Sequence, residues 1–352
     1  MTTPPEEERV IRVLVAEDSA VTREYLVHLL NTDPALEVVG IARDGVEAVE
    51  QAQRLKPDVI AMDIHMPRLD GYEATRQIME RVPTPIVMVT ASLERDEVAM
   101  SFEALRNGAL TVVAKPAGPD HPDRDESVRQ FVDTVKMMAE VKVVRRWPRR
   151  PPARLAPPPA RAAGRIDVVA IGASTGGPQT IAEILTGLPR DLPVPILAVQ
   201  HIAPGFIGGL AEWLNGQTAL GVKVAEPAEA MRPGSMYLAP DGFDIGVTAD
   251  GRIRLVRDPA SDGFRPSASY LFHSVAAVYG RSAVGVLLTG MGRDGADGLR
   301  RLRDAGGVTI AQDAESSVVF GMPGEAIRLG AAGYVLAPAQ IGAMIRWLAV
   351  RA

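Results

Sequence analysis

Residues 145–165 read RRWPRRPPARLAPPPARAAGR, and no packed core can run through such a stretch. Its seven arginines and six prolines leave little apolar surface to bury and favour an extended, solvated backbone. A chain of 352 residues is in any case long for one core. The run is therefore expected to be a linker, 141–165, joining two globular halves at 9–140 and 166–350.

Charge supports this division. Residues 1–144 hold 16 basic and 26 acidic side chains, whereas 166–352 hold 15 and 17 and are close to neutral. A basic run can bind nucleic acid or anionic lipid, but no recognition-helix pattern accompanies this one. The expectation is a soluble tether and no nucleic-acid partner. No apolar run approaches the roughly 20 residues that span a membrane, so no membrane insertion is expected. The start, MTTPPEEERV, lacks the pattern of a secretory signal, and a cytoplasmic location is expected. With no cysteine, a thiol nucleophile, an iron–sulfur site and disulfides are excluded.

The first half alternates strand and helix patterns five times, with strands expected at 11–16, 38–42, 59–62, 86–89 and 111–114. Helical stretches at 22–30, 45–55 and 71–82 lie between them. Such alternation implies a parallel sheet with helices on both faces, and functional groups then gather at the carboxyl ends of the strands. Glu17 and Asp18 follow the first strand, Asp63 the third, Thr90 the fourth and Lys115 the fifth. Three carboxylates at one edge repel one another unless a cation sits among them, and hard oxygen ligands suit Mg²⁺. A lysine and a hydroxyl opposite would receive a phosphoryl group on one carboxylate.

The second half opens with IDVVAIGASTGG at 166–177, an apolar strand running into a glycine-rich turn. Ser174 has the G-x-S-x-G spacing of a nucleophile elbow, and a helix is expected from Pro178 onward. Such a serine needs a base and an orienting acid. His201, following the apolar run 195–200, is favoured as base over His273, which falls inside the helical stretch 268–278. Asp294 follows the strand pattern 283–289, but it could instead cap the helix expected at 296–303. Asp297, Asp241 and Asp313 compete with it for the acid's role. A dinucleotide site at this turn is disfavoured because Gly172 to Gly177 does not give the G-x-G-x-x-G spacing and the next strand ends in Gln200-His201.

Longer motifs add two resemblances. AEDSA at 16–20, MDIHMPRLDG at 62–71, VTAS at 89–92 and AKP at 114–116 resemble a two-component receiver domain over about 9–140. That resemblance implies a flavodoxin-like fold with a five-stranded parallel sheet and Asp63 as phosphoacceptor. It implies Mg²⁺ held by Glu17, Asp18, Asp63 and the main-chain carbonyl of His65, with Thr90 and Lys115 contacting the phosphoryl group. Many receivers carry an aromatic switch residue three positions before the lysine, where this chain has Val112.

IGASTGGP, QHIAPGF, LTGMGRDGADG, AQDAESSVVFGMPGEAI and GYVL, over about 166–350, resemble the catalytic domain of chemotaxis protein-glutamate methylesterases of the CheB type. A receiver, a linker and this domain form that family's architecture. The resemblance implies a doubly wound α/β domain with a mainly parallel sheet and a triad of Ser174, His201 and Asp294. Backbone N–H groups near Thr175 and Met291 are oxyanion candidates, with core packing the competing role for Met291. The implied reaction is hydrolysis of glutamate γ-methyl esters on the cytoplasmic domain of chemoreceptors, with deamidation of receptor glutamines alongside. A chemotaxis histidine kinase is the implied phosphodonor, and no cofactor is expected in the catalytic domain. Ser269 stands where many relatives carry Asp. Phosphorylation at Asp63 is expected to set access to Ser174, an unphosphorylated receiver covering the strand ends. Two rivals are a receptor-holding protein with an inactive hydrolase domain and a DNA-binding response regulator. The complete triad weighs against the first, and the near-neutral second half against the other.

Overall fold

A computed structural model describes residues 9–90, 104, 108–122, 124–141, 165–257 and 265–350. The chain divides into two compact units, Met1–Pro148 and Arg149–Ala352. Most of the expected linker, 142–164, lies outside the described residues, as do the last two residues of the VTAS motif.

In the first unit, strands β1 (Ile11–Ala16), β2 (Leu36–Ala42), β3 (Val59–Asp63), β4 (Ile86–Thr90) and β5 (Thr111–Ala114) form a sheet of order β2-β1-β3-β4-β5. Every pairing in it is parallel. β3 and β4 are buried at all five positions, which is why they read as unbroken apolar runs rather than alternating ones. Helices α1 (Ala20–Thr32), α2 (Gly45–Leu55), α3 (Gly71–Arg81) and α4 (Arg124–Ala139) complete the described part of this unit. The first three have polar N-caps that accept from first-turn amides: Ser19 from Thr22, Asp44 from Val46 and Glu47, and Asp70 from Glu73. Strand order reverses direction at β1, so the carboxyl ends of β1 and β3 flank a crevice.

The second unit is built on β6 (Val168–Ala173), β7 (Ile196–Gln200), β8 (Gly221–Val224), β9 (Ser235–Leu238), β12 (Ala283–Leu287), β13 (Val308–Gln312) and β14 (Tyr334–Leu336). Their order is β14-β13-β12-β6-β7-β9-β8, again with all pairings parallel. β10 (Asp244–Val247) and β11 (Ile253–Val256) pair antiparallel in a separate two-stranded sheet. The helices are α5 (Gly177–Thr186), α6 (Ile207–Gln217), α7 (Ala268–Val278), α8 (Ala296–Asp304), α9 (Met322–Arg328) and α10 (Pro338–Val350). The expected doubly wound α/β domain is thus present, with a fully parallel main sheet. β6 lies between β7 and β12, so the chain departs to opposite sides of it and a crevice opens above its carboxyl end.

Fully buried Phe272 of α7, with Leu299 and Leu302 of α8, packs in a core shared with Val168, Leu197 and Ala283 of the sheet. α7 and α8 approach closely because Gly298 lacks a side chain: a Cβ there would fall 2.6 Å from the Ser269 carbonyl oxygen. This close approach brings the start of α7 to the loop that carries Asp294.

Candidate active site and a second, acidic site

Ser174 directly follows β6 and is half-buried. The chain reverses into α5 at Gly176, whose φ of +76° lies in the left-handed region that favours glycine. A side chain there would also meet Val318, 2.5 Å away. Gly172, the other glycine of the elbow, serves differently: it lies within β6, where a Cβ would be 2.7 Å from Ala268 Cβ. The turn is closed by Gly177 N donating to the Ser174 carbonyl at 2.8 Å, while Ser174 N donates to the Thr289 carbonyl at 3.0 Å.

His201 follows β7, the neighbouring strand, and its N–H donates to the Ala173 carbonyl at 2.9 Å. Its Nε2 lies 3.0 Å from Asp294 Oδ2. The His201 side chain is 10% exposed, against 51% for His273, which faces Asp297 across 3.4 Å on the surface of α7. That contrast separates the two histidines, because a buried, carboxylate-paired ring has a fixed orientation and an exposed one does not.

Asp294 does not cap the helix that follows it; Gly295 occupies that position. Its carboxylate lies instead at the start of α7. Oδ2 accepts from Ala268 N at 2.7 Å, and Oδ1 from Ser269 N and the Ser267 hydroxyl at 3.0 Å and from Gly295 N at 2.9 Å. Burial alone would raise its pKa, but His201, Ser269 and the Ala268 amide together hold the carboxyl far below the usual carboxylate range. The helix dipole favours a negative charge at this position as well. Ser269 belongs to the same network: its hydroxyl donates to Asp297 at 2.8 Å and accepts from Gly295 N at 2.7 Å.

The other acids hold loops. Asp241 accepts from Gly205 N at 2.7 Å, and Asp313 from Ser316 N at 2.9 Å. Thr175 sits in the Ser174 turn. Met291 is 44% exposed, so core packing does not account for its side chain.

No sequence pattern marks the residues that brace the site. Thr289 Oγ1 donates to the Thr175 carbonyl at 2.9 Å and accepts from Val319 N at 2.9 Å. Thr289 N in turn donates to Oε1 of buried Gln312 at 2.7 Å. Gln200 Nε2 donates to the carbonyls of both Ser174 and His201, each at 2.8 Å.

In the first unit the strand ends assemble the acidic cluster. Carboxylate oxygens of Glu17, Asp18 and Asp63 lie within 4.8 Å of one another. Glu17 and Asp63 are buried, whereas Asp18 is exposed. Lys115 Nζ reaches Glu17 Oε2 at 2.8 Å and Asp63 Oδ2 at 3.0 Å. Burial pushes the carboxyl pKa values of Asp63 and Glu17 up despite that lysine. One ammonium among three carboxylates leaves an excess of negative charge, and an all-oxygen donor set of this kind fits a hard divalent cation. Thr90 is buried at the end of β4, and its carbonyl accepts from Lys115 N at 2.7 Å. His65 is exposed two residues beyond Asp63, and Val112 is buried in β5. Among the described residues, no helix is long and apolar enough to cross a membrane.

Comparison with known proteins relates both units to described families. Residues 169–345 match the CheB methylesterase family and residues 13–122 the response regulator receiver domain. A protein-glutamate methylesterase/protein-glutamine glutaminase of Geobacter metallireducens is 52% identical over 345 residues, covering 97% of this chain and 99% of the relative. One of Myxococcus xanthus is 54% identical over 331 residues, covering 93% and 94%. The crystal structure of the Thermotoga maritima CheB methylesterase catalytic domain is 38% identical and superposes with a TM-score of 0.51. It covers 53% of this chain and 100% of its own.

Proposed function

The chain belongs to the CheB methylesterase family, with a response regulator receiver domain ahead of the catalytic one, and from that premise we propose that Ser174 is a phosphorylation-controlled nucleophile acting on chemoreceptors. The enzyme is a protein-glutamate methylesterase and protein-glutamine glutaminase. Its substrate is the cytoplasmic domain of methyl-accepting chemoreceptors, and it works in the cytoplasm. Its parts are a receiver at 9–140, a linker at 141–165 and a catalytic domain at 166–350.

The observation that carries this reading is the pairing of His201 Nε2 with Asp294 at 3.0 Å, beside the strand end that bears Ser174. With Nε2 committed to Asp294, Nδ1 takes the proton from Ser174 as Oγ attacks the ester carbonyl. The oxyanion is met by the N–H groups of Thr175 and Met291. His201 then returns the proton to the leaving methoxide, and methanol departs from an acyl-enzyme. Water, deprotonated by the same histidine, releases the glutamate and restores Ser174. A glutamine follows the same course, with ammonia as the leaving group. Asp294 stays ionised throughout and stabilises the imidazolium.

In the receiver, Asp63 accepts a phosphoryl group from a chemotaxis histidine kinase, and Thr90 and Lys115 contact the transferred group. Glu17, Asp18, Asp63 and the His65 carbonyl would hold Mg²⁺, which offsets the charge of the phosphoryl oxygens. Phosphorylation raises the rate at Ser174.

Methanol release from methylated receptor fragments tests the assignment. Ser174→Ala should abolish release while the protein stays folded. Retained release by that variant would refute it.

A further inference from the structure

Gln200 ends β7 after the apolar run Ile-Leu-Ala-Val and is 2% exposed. A buried amide costs free energy unless it is hydrogen-bonded, so an apolar residue would satisfy packing at this position more simply. What the glutamine adds is its NH₂ group, which donates at 2.8 Å to the Ser174 carbonyl and at 2.8 Å to the His201 carbonyl. Its Oε1 has no hydrogen-bond partner among the described residues and lies against Gly177, where a Cβ would come within 2.1 Å of it. Both acceptors are carbonyls, so only the amide's nitrogen end can serve them.

Each of these carbonyls shares a rigid plane with the next residue's N–H. Fixing the Ser174 carbonyl therefore fixes the direction of the Thr175 N–H, and fixing the His201 carbonyl fixes the start of the loop beyond the imidazole. Gly177 N also grips the Ser174 carbonyl, but that bond lies within the turn and cannot stop the turn from pivoting as a body. Gln200 ties the turn to the adjacent strand. On the opposite flank, Gln312 ties Thr289 to the end of β13, and Thr289 holds Ser174 N and the Thr175 carbonyl.

We propose that Gln200 is a positioning residue for hydrolysis, its side-chain amide locking the turn of the nucleophile to the strand of the base and aiming the Thr175 N–H at the oxyanion. This rests on Ser174 and His201 as nucleophile and base. A contact that matters only when the oxyanion forms affects turnover rather than ground-state binding.

The test uses the full chain and methanol release from a methyl-esterified receptor cytoplasmic fragment, with rates referred to the folded fraction seen by near-ultraviolet circular dichroism. Gln200→Met keeps the volume and removes the donors, while Gln200→Glu keeps the shape and replaces the donors by acceptors. Both should lower kcat by about 10²-fold with KM changed by less than about 2-fold. A folded variant with near wild-type kcat, or one whose loss lies in KM alone, would overturn the proposal. So would failure of both variants to fold, which would make Gln200 a core element only. Ser174→Ala runs alongside: if it keeps activity, the nucleophile assignment fails, whereas an inactive Ser174→Ala beside a fully active Gln200→Met removes only the role of Gln200.

Discussion

Asp294 has two partners, the His201 ring and the positive end of a helix, and its negative charge suits both. Its carboxylate accepts from the first amides of α7 and from His201, so replacing it with Asn removes charge from both. Asp294→Asn should lower turnover by about 10³–10⁴-fold, because the imidazolium loses its counter-charge. It should also destabilise the second unit by about 1–2 kcal/mol at pH 7. The sign of the pH dependence follows from the depressed carboxyl. A group that titrates lower when folded contributes fully above its unfolded pKa, about 3.9, and loses that contribution as pH falls toward the folded value. The stability gap between wild type and Asp294→Asn should therefore narrow by about 1 kcal/mol between pH 7 and pH 3 in urea unfolding. A gap of equal size at both pH values would contradict the assigned environment. The role of Asp294 was only half legible in the sequence. Its place after an apolar run marks a strand end, but the helix it steadies begins 26 residues upstream, a separation that no local pattern registers. Gln200, Thr289 and Gln312 were illegible for a related reason: a polar residue ending a buried strand looks the same whether it turns to solvent or inward.

At the scale of elements, two adjacent turns are packed so tightly that a glycine stands at their contact. A Cβ on Gly290 would lie 2.4 Å from Met322 Sδ, 2.6 Å from Ser174 Cβ and 3.1 Å from Ser174 N. The methionine tail can yield, but Ser174 is held in its turn, its N–H bonded to the Thr289 carbonyl. Gly290→Ala should cost about 1–3 kcal/mol in thermal unfolding and reduce methanol release by more than about 10-fold. An unchanged rate would show that the turn tolerates displacement. The elements themselves were unevenly readable. The strand at 11–16 and the helices at 45–55 and 268–278 emerge at their expected limits. They emerge so cleanly because a buried parallel strand or an amphipathic helix imposes a long, regular apolar pattern. β8, β9, β10 and β11, four residues each, and β14, three, carry few positions, and unlike β5 of equal length they stand outside the repeated strand–helix alternation that marks so short a run in the first half.

On the scale of the whole molecule, the two sites obey one rule. Each collects its chemistry at the carboxyl ends of parallel strands beside a switch in strand order, which is why single residues after apolar runs were informative in both halves. Glu17, Asp63 and Lys115 meet in one, and His201 and Asp294 in the other. The proposed function joins them, with the phosphoryl state of Asp63 setting the rate at Ser174. Methanol release by the full chain from methylated receptor fragments, with and without acetyl phosphate and Mg²⁺, tests that claim most directly. Wild type should accelerate with the phosphodonor, Asp63→Asn should stay at its basal rate under both conditions, and Ser174→Ala should release nothing in either. Equal acceleration of wild type and Asp63→Asn, or none in wild type, would contradict it.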